Sequence, residues 1–248
     1  MIGSFSSLIA AELSIAVAQV EATVALLKDG ATLPFIARYR KEATGNLDEV
    51  QIEKIGERVA YLEELEARRA VVLKEIGEQG KLTDDLKRKI SGTMSKTELE
   101  DLYLPYKPKR RTRATIAKER GLLPLADVIW AQADGAVDPD ALARSLVTGE
   151  VTDVEMAWAG ARDIVAERIA EIAPLRAQLR EQALAAGRMV STVIAGKEDE
   201  GKKWSDYFDY QEPVGAIPSH RMLALRRGER EGFLRVQLDV DRDAAIGL

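Results

Sequence analysis

The sequence predicts a mainly α protein: a multi-helix scaffold with a helix-turn-helix-like N-terminal unit, a long arm helix and a small C-terminal α/β unit. Three observations carry that reading. Alanine, leucine, glutamate and arginine dominate while aromatics make up only 5%, which favours helix. Apolar residues recur at three- and four-residue steps as far as Gly187, between capping and stopping signals. From Arg188 onward β-branched and alternating segments take over.

Leu8, Leu13, Val17, Val20, Val24 and Leu27 trace one amphipathic stripe, predicting a helix that ends before Gly30. Pro34 suits the first turn of a short helix running to Thr44-Gly45, with Phe35, Ile36 and Tyr39 on one side and Arg38, Arg40 and Lys41 on the rest. Helix, glycine turn and short basic helix form the pattern of a helix-turn-helix unit, and equally of any helical hairpin. Asn46, with Glu49 three residues on, reads as the cap of a long helix to about Gln79. Its apolar residues Ile55, Leu62, Leu65, Val72 and Ile76 predict an arm of roughly 45 Å that packs against another segment of this chain.

Thr83-Asp84-Asp85 caps a helix to Ile90, and Ser95 with Glu98 forms a capping box for a helix to Leu102 or Tyr103. Two prolines keep Pro105 to Arg113 non-helical. Short helices follow over Ala114–Arg120, Leu125–Gln132 and, after the Asp138-Pro139 start, to Leu146. Thr152 with Glu155 reads as a second capping box. It opens a helix that breaks near Pro174 and returns as an antiparallel partner until Gly187. Strands are expected over Met189–Ala195 and Phe233–Val240, with a helix from Ser219 to Arg227 between them. The chain is therefore read as three parts: 1–80, 81–187 with the basic loop 105–113, and 188–248.

At 248 residues the chain is long enough to bury roughly 70% of its unfolded surface. It has no cysteine, which excludes disulfides and thiolate metal sites, and His220 is its one histidine. The opening MIGSFSSLIAAELS has no basic segment and no sustained apolar run, so neither a signal peptide nor a membrane span is expected, and a cytoplasmic setting is. A net charge of −5 excludes a globally basic nucleic-acid binder and directs attention to local patches.

The strongest patch holds Lys107, Lys109, Arg110, Arg111, Arg113, Lys118 and Arg120 against Glu119 alone. Cations on a non-helical loop are able to follow a phosphate backbone, with Tyr106 beside them for stacking on a base. The alternative is a connector paired with acidic helices such as Glu63-Glu64-Glu66. Lys107, Lys109, Arg110, Arg111 and Arg113 are the candidate phosphate contacts, joined by Arg40 and Lys41 if the short helix is a recognition helix. In the alternative, Arg38 and Tyr39 pack against neighbouring helices. His220 reads as a cap or structural residue, because no nucleophile accompanies it. Glu198, Asp199, Glu200, Asp206 and Asp209 have irregular spacing that matches no metal loop, and Trp158, Trp204, Tyr207, Phe208 and Tyr210 read as core residues. No phosphate-binding glycine loop follows a strand.

Four stretches carry a family resemblance: Thr32–Glu49 (TLPFIARYRKEATGNLDE), Glu98–Lys109 (ELEDLYLPYKPK), Thr115–Leu125 (TIAKERGLLPL), and Ser205–Tyr210 leading to Ile217–Arg221. In content and order they resemble the N-terminal region of the bacterial transcription accessory protein family Tex, related to the eukaryotic Spt-type elongation factors. The resemblance implies a non-enzymatic fragment of a larger nucleic-acid-binding protein that works with transcription. In that family the chain continues into a ribonuclease-H-like domain, a helix-hairpin-helix module and an RNA-binding OB-fold. No catalytic residue, metal or cofactor is carried over to this chain. Nucleic acid is the expected partner, RNA polymerase a possible second one, and a membrane is not expected. A protein-interaction module docking RNA polymerase or other domains of the parent chain is the alternative, and a metal-dependent nuclease the third.

Overall fold

The computed structural model describes residues 2–132 and 137–247, and these form two compact units, Met1–Lys107 and Pro108–Leu248. Among the described residues helices predominate, and the strands form one small antiparallel sheet near the C-terminus.

The first unit is built on one long helix. α1 spans Ile2–Leu13 and α2 spans Val17–Lys28. The single stripe expected over this stretch is therefore two helices, bent by 116° at the break. Ser14 adopts a left-handed conformation (φ 54°), and the Ile15 N–H bonds the Ala10 carbonyl at 3.0 Å, closing α1. Periodicity misses the break because Val17, the residue that should extend the stripe, is exposed. The side chain of Gln19 accepts from the Ala16 N–H and donates to the Gly45 carbonyl at 2.9 Å, tying α2 to a distant turn.

α3 covers Leu33–Tyr39, with Pro34 in its first turn. The chain then turns through Gly45 and Asn46, both at positive φ. That conformation excludes Asn46 as the cap of α4, which runs Glu49–Glu78. Asp48 takes that role instead: its carboxylate accepts from the Gln51 N–H at 2.7 Å while Gln51 answers to the Asp48 N–H at 3.1 Å. α4 is 30 residues long and buries Ile52, Ile55, Leu62, Leu65, Val72 and Ile76. It lies against α1, α2 and α3, and against α5 (Asp84–Gly92) and α6 (Lys96–Tyr103). The expected packing against the same chain is thus seen, with α4 at the centre of the unit's core.

Arg69 of α4 is buried, donating to the Ile90 carbonyl at 3.0 Å and the Thr93 carbonyl at 2.6 Å and pairing with Glu66. It satisfies the carbonyls at the end of α5, which burial would otherwise leave unpaired. Ser95 caps α6 as expected, but Glu98 binds the Thr93 hydroxyl and does not return to the Ser95 N–H.

In the second unit α7 (Arg113–Glu119), α8 (Leu123–Ala131) and α9 (Pro139–Ser145) surround α10 (Val154–Ala170). Their core holds Leu122, Leu125, Ala157, Ala161 and Ile164. Asp153, rather than Thr152, caps α10, accepting from the Met156 N–H at 2.8 Å. α11 follows at Ala173–Ala186 but buries none of its residues, and α10 packs chiefly on α7 and α8, so the expected helical hairpin is not a packed pair.

A central strand β1 (Arg188–Val193) pairs antiparallel with β2 (Asp209–Pro213) on one side and β3 (Leu234–Asp239) on the other. Ser191 faces Tyr210 and Val236. β2 starts at the end of the aromatic stretch and runs past it, where the alternation of Tyr210 and Glu212 is too short to predict a strand. α12 (Ser219–Arg230) covers β3, and α13 (Arg242–Ile246) follows. Trp204, Leu225 and Leu234 form this core, with Tyr207, Phe208 and Tyr210 against it, in line with the expectation for those aromatics. No single helix among the described residues is long and apolar enough to cross a membrane.

Candidate nucleic-acid interface

The basic stretch starts where α6 tightens into a 3-10 turn, Leu104–Tyr106, with Pro105 at its start. Lys107 closes that turn by donating its N–H to the Tyr103 carbonyl at 3.1 Å, and its own side chain is exposed. Its charge helps hold the Glu100 carboxyl below the usual range, after the larger effect of the Arg68 hydrogen bond. Tyr106 is not a free stacking ring: it packs against the first unit's core, and its carbonyl accepts from Gln79 at 2.9 Å.

In the second unit, a stretch outside helix and strand leads from Pro108 to Thr112, which caps α7 by accepting from the Thr115 N–H at 3.0 Å. The Thr112 hydroxyl lies 2.9 Å from Glu167 of α10, and the same carboxylate takes Lys118 at 2.8 Å. Lys109 pairs with Glu171 and lies 3.7 Å from Glu167. Burial pushes the Glu167 carboxyl upward, but hydrogen bonds from Lys118 and Thr112 and the charges of Lys109 and Lys118 outweigh it and hold the group below its ordinary value. Arg111 pairs with Glu119 at 2.6 Å, and Arg120 with Glu150 at 3.1 Å.

These pairs change the charge picture drawn from sequence. Four of the seven cations meet carboxylates, three of which come from positions 150, 167 and 171, outside the window in which the patch was counted. Glu63, Glu64 and Glu66 are not the partners, being paired with Lys28, Lys96 and Arg69. Arg110 and Arg113 are exposed and make no ion pair among the described residues. Lys109, Arg111 and Thr112 are thus held by carboxylates, while Arg110 and Arg113 are exposed between and beside them.

Arg40 and Lys41 belong to the first unit and are exposed without ion pairs among the described residues, as is Arg38. The Arg40 guanidinium lies over the Phe35 ring at 5.5 Å. The alternative in which Arg38 and Tyr39 pack inward does not hold: Tyr39 is 61% exposed. Ile36 alone of this helix is fully buried.

His220 is exposed at the start of α12, where Pro218 is the N-cap, so it acts as neither cap nor buried structural residue. Glu198, Asp199, Glu200, Asp206 and Asp209 are exposed, and no described cluster of acidic or histidine side chains is arranged to hold a metal ion.

Sequence comparison relates the chain to known proteins. Residues 4–77 match the family model described as the Tex-like protein N-terminal domain, and residues 134–246 the one described as Tex central region-like. Protein YhgF of Escherichia coli is 52% identical over 240 residues, covering 96% of this chain and 31% of that protein. Transcriptional accessory protein Tex of Neisseria gonorrhoeae is 51% identical over 240 residues, covering 97% and 31%. A human protein, S1 RNA-binding domain-containing protein 1, is 26% identical over 226 residues, covering 88% and 22%. The chain thus spans about a third of the length of its bacterial relatives.

Proposed function

The chain belongs to the Tex family along its N-terminal and central regions, and from that premise we propose that it is the N-terminal scaffold of a transcription accessory factor, associated with nucleic acid and without catalytic chemistry of its own. The observation that carries this reading is the pair of open arginines, Arg110 and Arg113, on a segment fastened by Lys109 and Thr112. A guanidinium on a fixed backbone meets a phosphate with two parallel hydrogen bonds at little ordering cost. Lys107, in the first unit, is a candidate contact of its own. Arg40 and Lys41 form another, at the C-cap of α3 and in the turn after it, beside a helix-turn-helix-like element formed by α2, the Gly30 turn and α3. Lys109 and Arg111 serve to position the segment. The names of the relatives, one for transcription and one for an RNA-binding domain, support the partner class. A cytoplasmic location goes with that role.

The test is a salt titration of fluorescent single- and double-stranded oligonucleotides binding to this chain and to Arg110→Glu/Arg113→Glu. The reading expects weaker binding by the variant and a shallower salt slope, by roughly 0.9 per lost phosphate contact on duplex. Equal affinity and slope would overturn it.

A second reading, a module that docks RNA polymerase or another domain, is favoured by α11. That helix leaves Leu184 60% exposed and buries none of its residues, a surface of the kind that protein partners cover.

A further inference from the structure

α3 presents a surface for which its own unit has no use. Phe35 and Tyr39, one helical turn apart, are 41% and 61% exposed, and their ring centroids lie 5.5 Å apart at a 44° tilt. The Arg40 guanidinium sits 5.5 Å from the Phe35 centroid, extending the aromatic surface with a flat cation. Arg38, Arg40 and Lys41 all lack ion pairs among the described residues, although other exposed cations, such as Arg88, Arg111 and Arg162, are paired. Glu42 is exposed nearby, and a shallow depression flanked by Arg38 and Lys41 also contains Asp48 and Glu49. Phe35, Tyr39 and Arg40 lie outside that depression.

The segment is rigidly supported. Thr44 is fully buried and its hydroxyl reaches the Arg40 and Lys41 carbonyls, Leu47 is buried beside it, and Gln19 holds the Gly45 carbonyl. Exposed rings on a fixed backbone lose little entropy when a ligand covers them.

We propose that Phe35, Tyr39 and Arg40 form a stacking site for unpaired bases of a single nucleic-acid strand. Planar faces call for a planar ligand, and unpaired cations beside them call for an anionic one; a nucleotide strand is both. Because Glu42, Asp48 and Glu49 offset much of the local positive charge, stacking supplies the affinity and the salt dependence is shallow. A duplex, whose base faces are covered, gains little here. The proposal rests on the nucleic-acid reading above but on a different surface from Arg110 and Arg113.

The experiment measures binding of the 248-residue chain to a fluorescein-labelled 12-nucleotide oligo(U), to oligo(dT) and to a 12-base-pair duplex. Phe35→Ala/Tyr39→Ala should weaken single-strand binding about tenfold or more, since each stacked base contributes on the order of a tenfold effect. Duplex binding should stay within about twofold, and the melting temperature should not move. Phe35→Tyr/Tyr39→Trp should restore the single-strand affinity. Unchanged single-strand affinity would overturn the proposal and leave the patch to a protein partner. Equal losses on strand and duplex would overturn stacking. If Arg110→Glu/Arg113→Glu weakens binding while the α3 variant does not, the stacking site fails and the loop reading stands. Absence of binding by the unaltered chain at low salt would overturn both.

Discussion

The Lys109 ammonium lies against the Glu171 carboxylate, 62 positions further along the chain. With Lys118 and Thr112 on Glu167, this contact fastens the entry to α7 onto the last turns of α10. A stretch that reads as a uniform run of positive charge is divided into cations that fix the backbone and cations that remain available. The two groups should respond differently to mutation.

Glu167→Gln should lower the stability of the second unit at neutral pH by roughly 1–2 kcal/mol, since a largely buried carboxylate loses its charge-assisted bonds to Lys118 and Thr112. The folded-state carboxyl titrates below its unfolded value, so its contribution is present above the unfolded value and is lost as pH falls through the folded one. Urea unfolding of the native chain and the variant should therefore converge in acid. A gap of constant size from pH 7 to pH 3 would count against the arrangement.

Arg69→Ala should destabilise the first unit by about 3–5 kcal/mol, because it strands the Ile90 and Thr93 carbonyls and leaves Glu66 without its partner. Oligonucleotide affinity, measured well below the melting temperature, should not change. A loss under 1 kcal/mol in chemical denaturation would mean that water serves those carbonyls equally well.

Gly160 of α10 allows a close approach by α7 and its C-terminal turn: an added Cβ would lie 2.4 Å from Leu122 Cδ1 and 3.2 Å from Ala117 Cβ. Helix propensity favours alanine over glycine by about 1 kcal/mol. Overpacking of a buried site costs about 1–3 kcal/mol, and Leu122 is itself enclosed in the core. Gly160→Ala should therefore be net destabilising, visible as a lower melting temperature. A rise in melting temperature would show that Leu122 has room to move aside.

Asp153→Ala should cost about 1 kcal/mol, and Thr152→Ala distinctly less, because the Asp153 carboxylate holds the Met156 N–H. The comparison is made by thermal melting. A larger effect at Thr152 would restore the capping box that the sequence suggests.

Much of the helical order is legible in the chain itself, because Gly30, Pro34, Gly121, Asp138-Pro139 and the apolar stripe of α4 act locally. The errors at Asn46 and Thr152 share a cause. Each has an aspartate one or two positions on that is equally able to cap, and backbone conformation, invisible in sequence, decides between them. The break at Ser14 depends on a left-handed residue that no glycine advertises. The candidate site was half legible for a different reason. The cations at 107–120 are plain to read, whereas the acids that quench four of them are mostly supplied by folding, from α10 and from Glu150. The exposure of Tyr39 likewise depends on which face of α3 the buried Ile36 claims.

α4 gives the first unit a single spine touched by five other helices. None of the five can swing away without baring isoleucine, leucine or valine along that spine to water, so intermediates with one helix detached are penalised. The N-terminal unit should melt as one transition, and a protease should find its loops cleavable only through global opening.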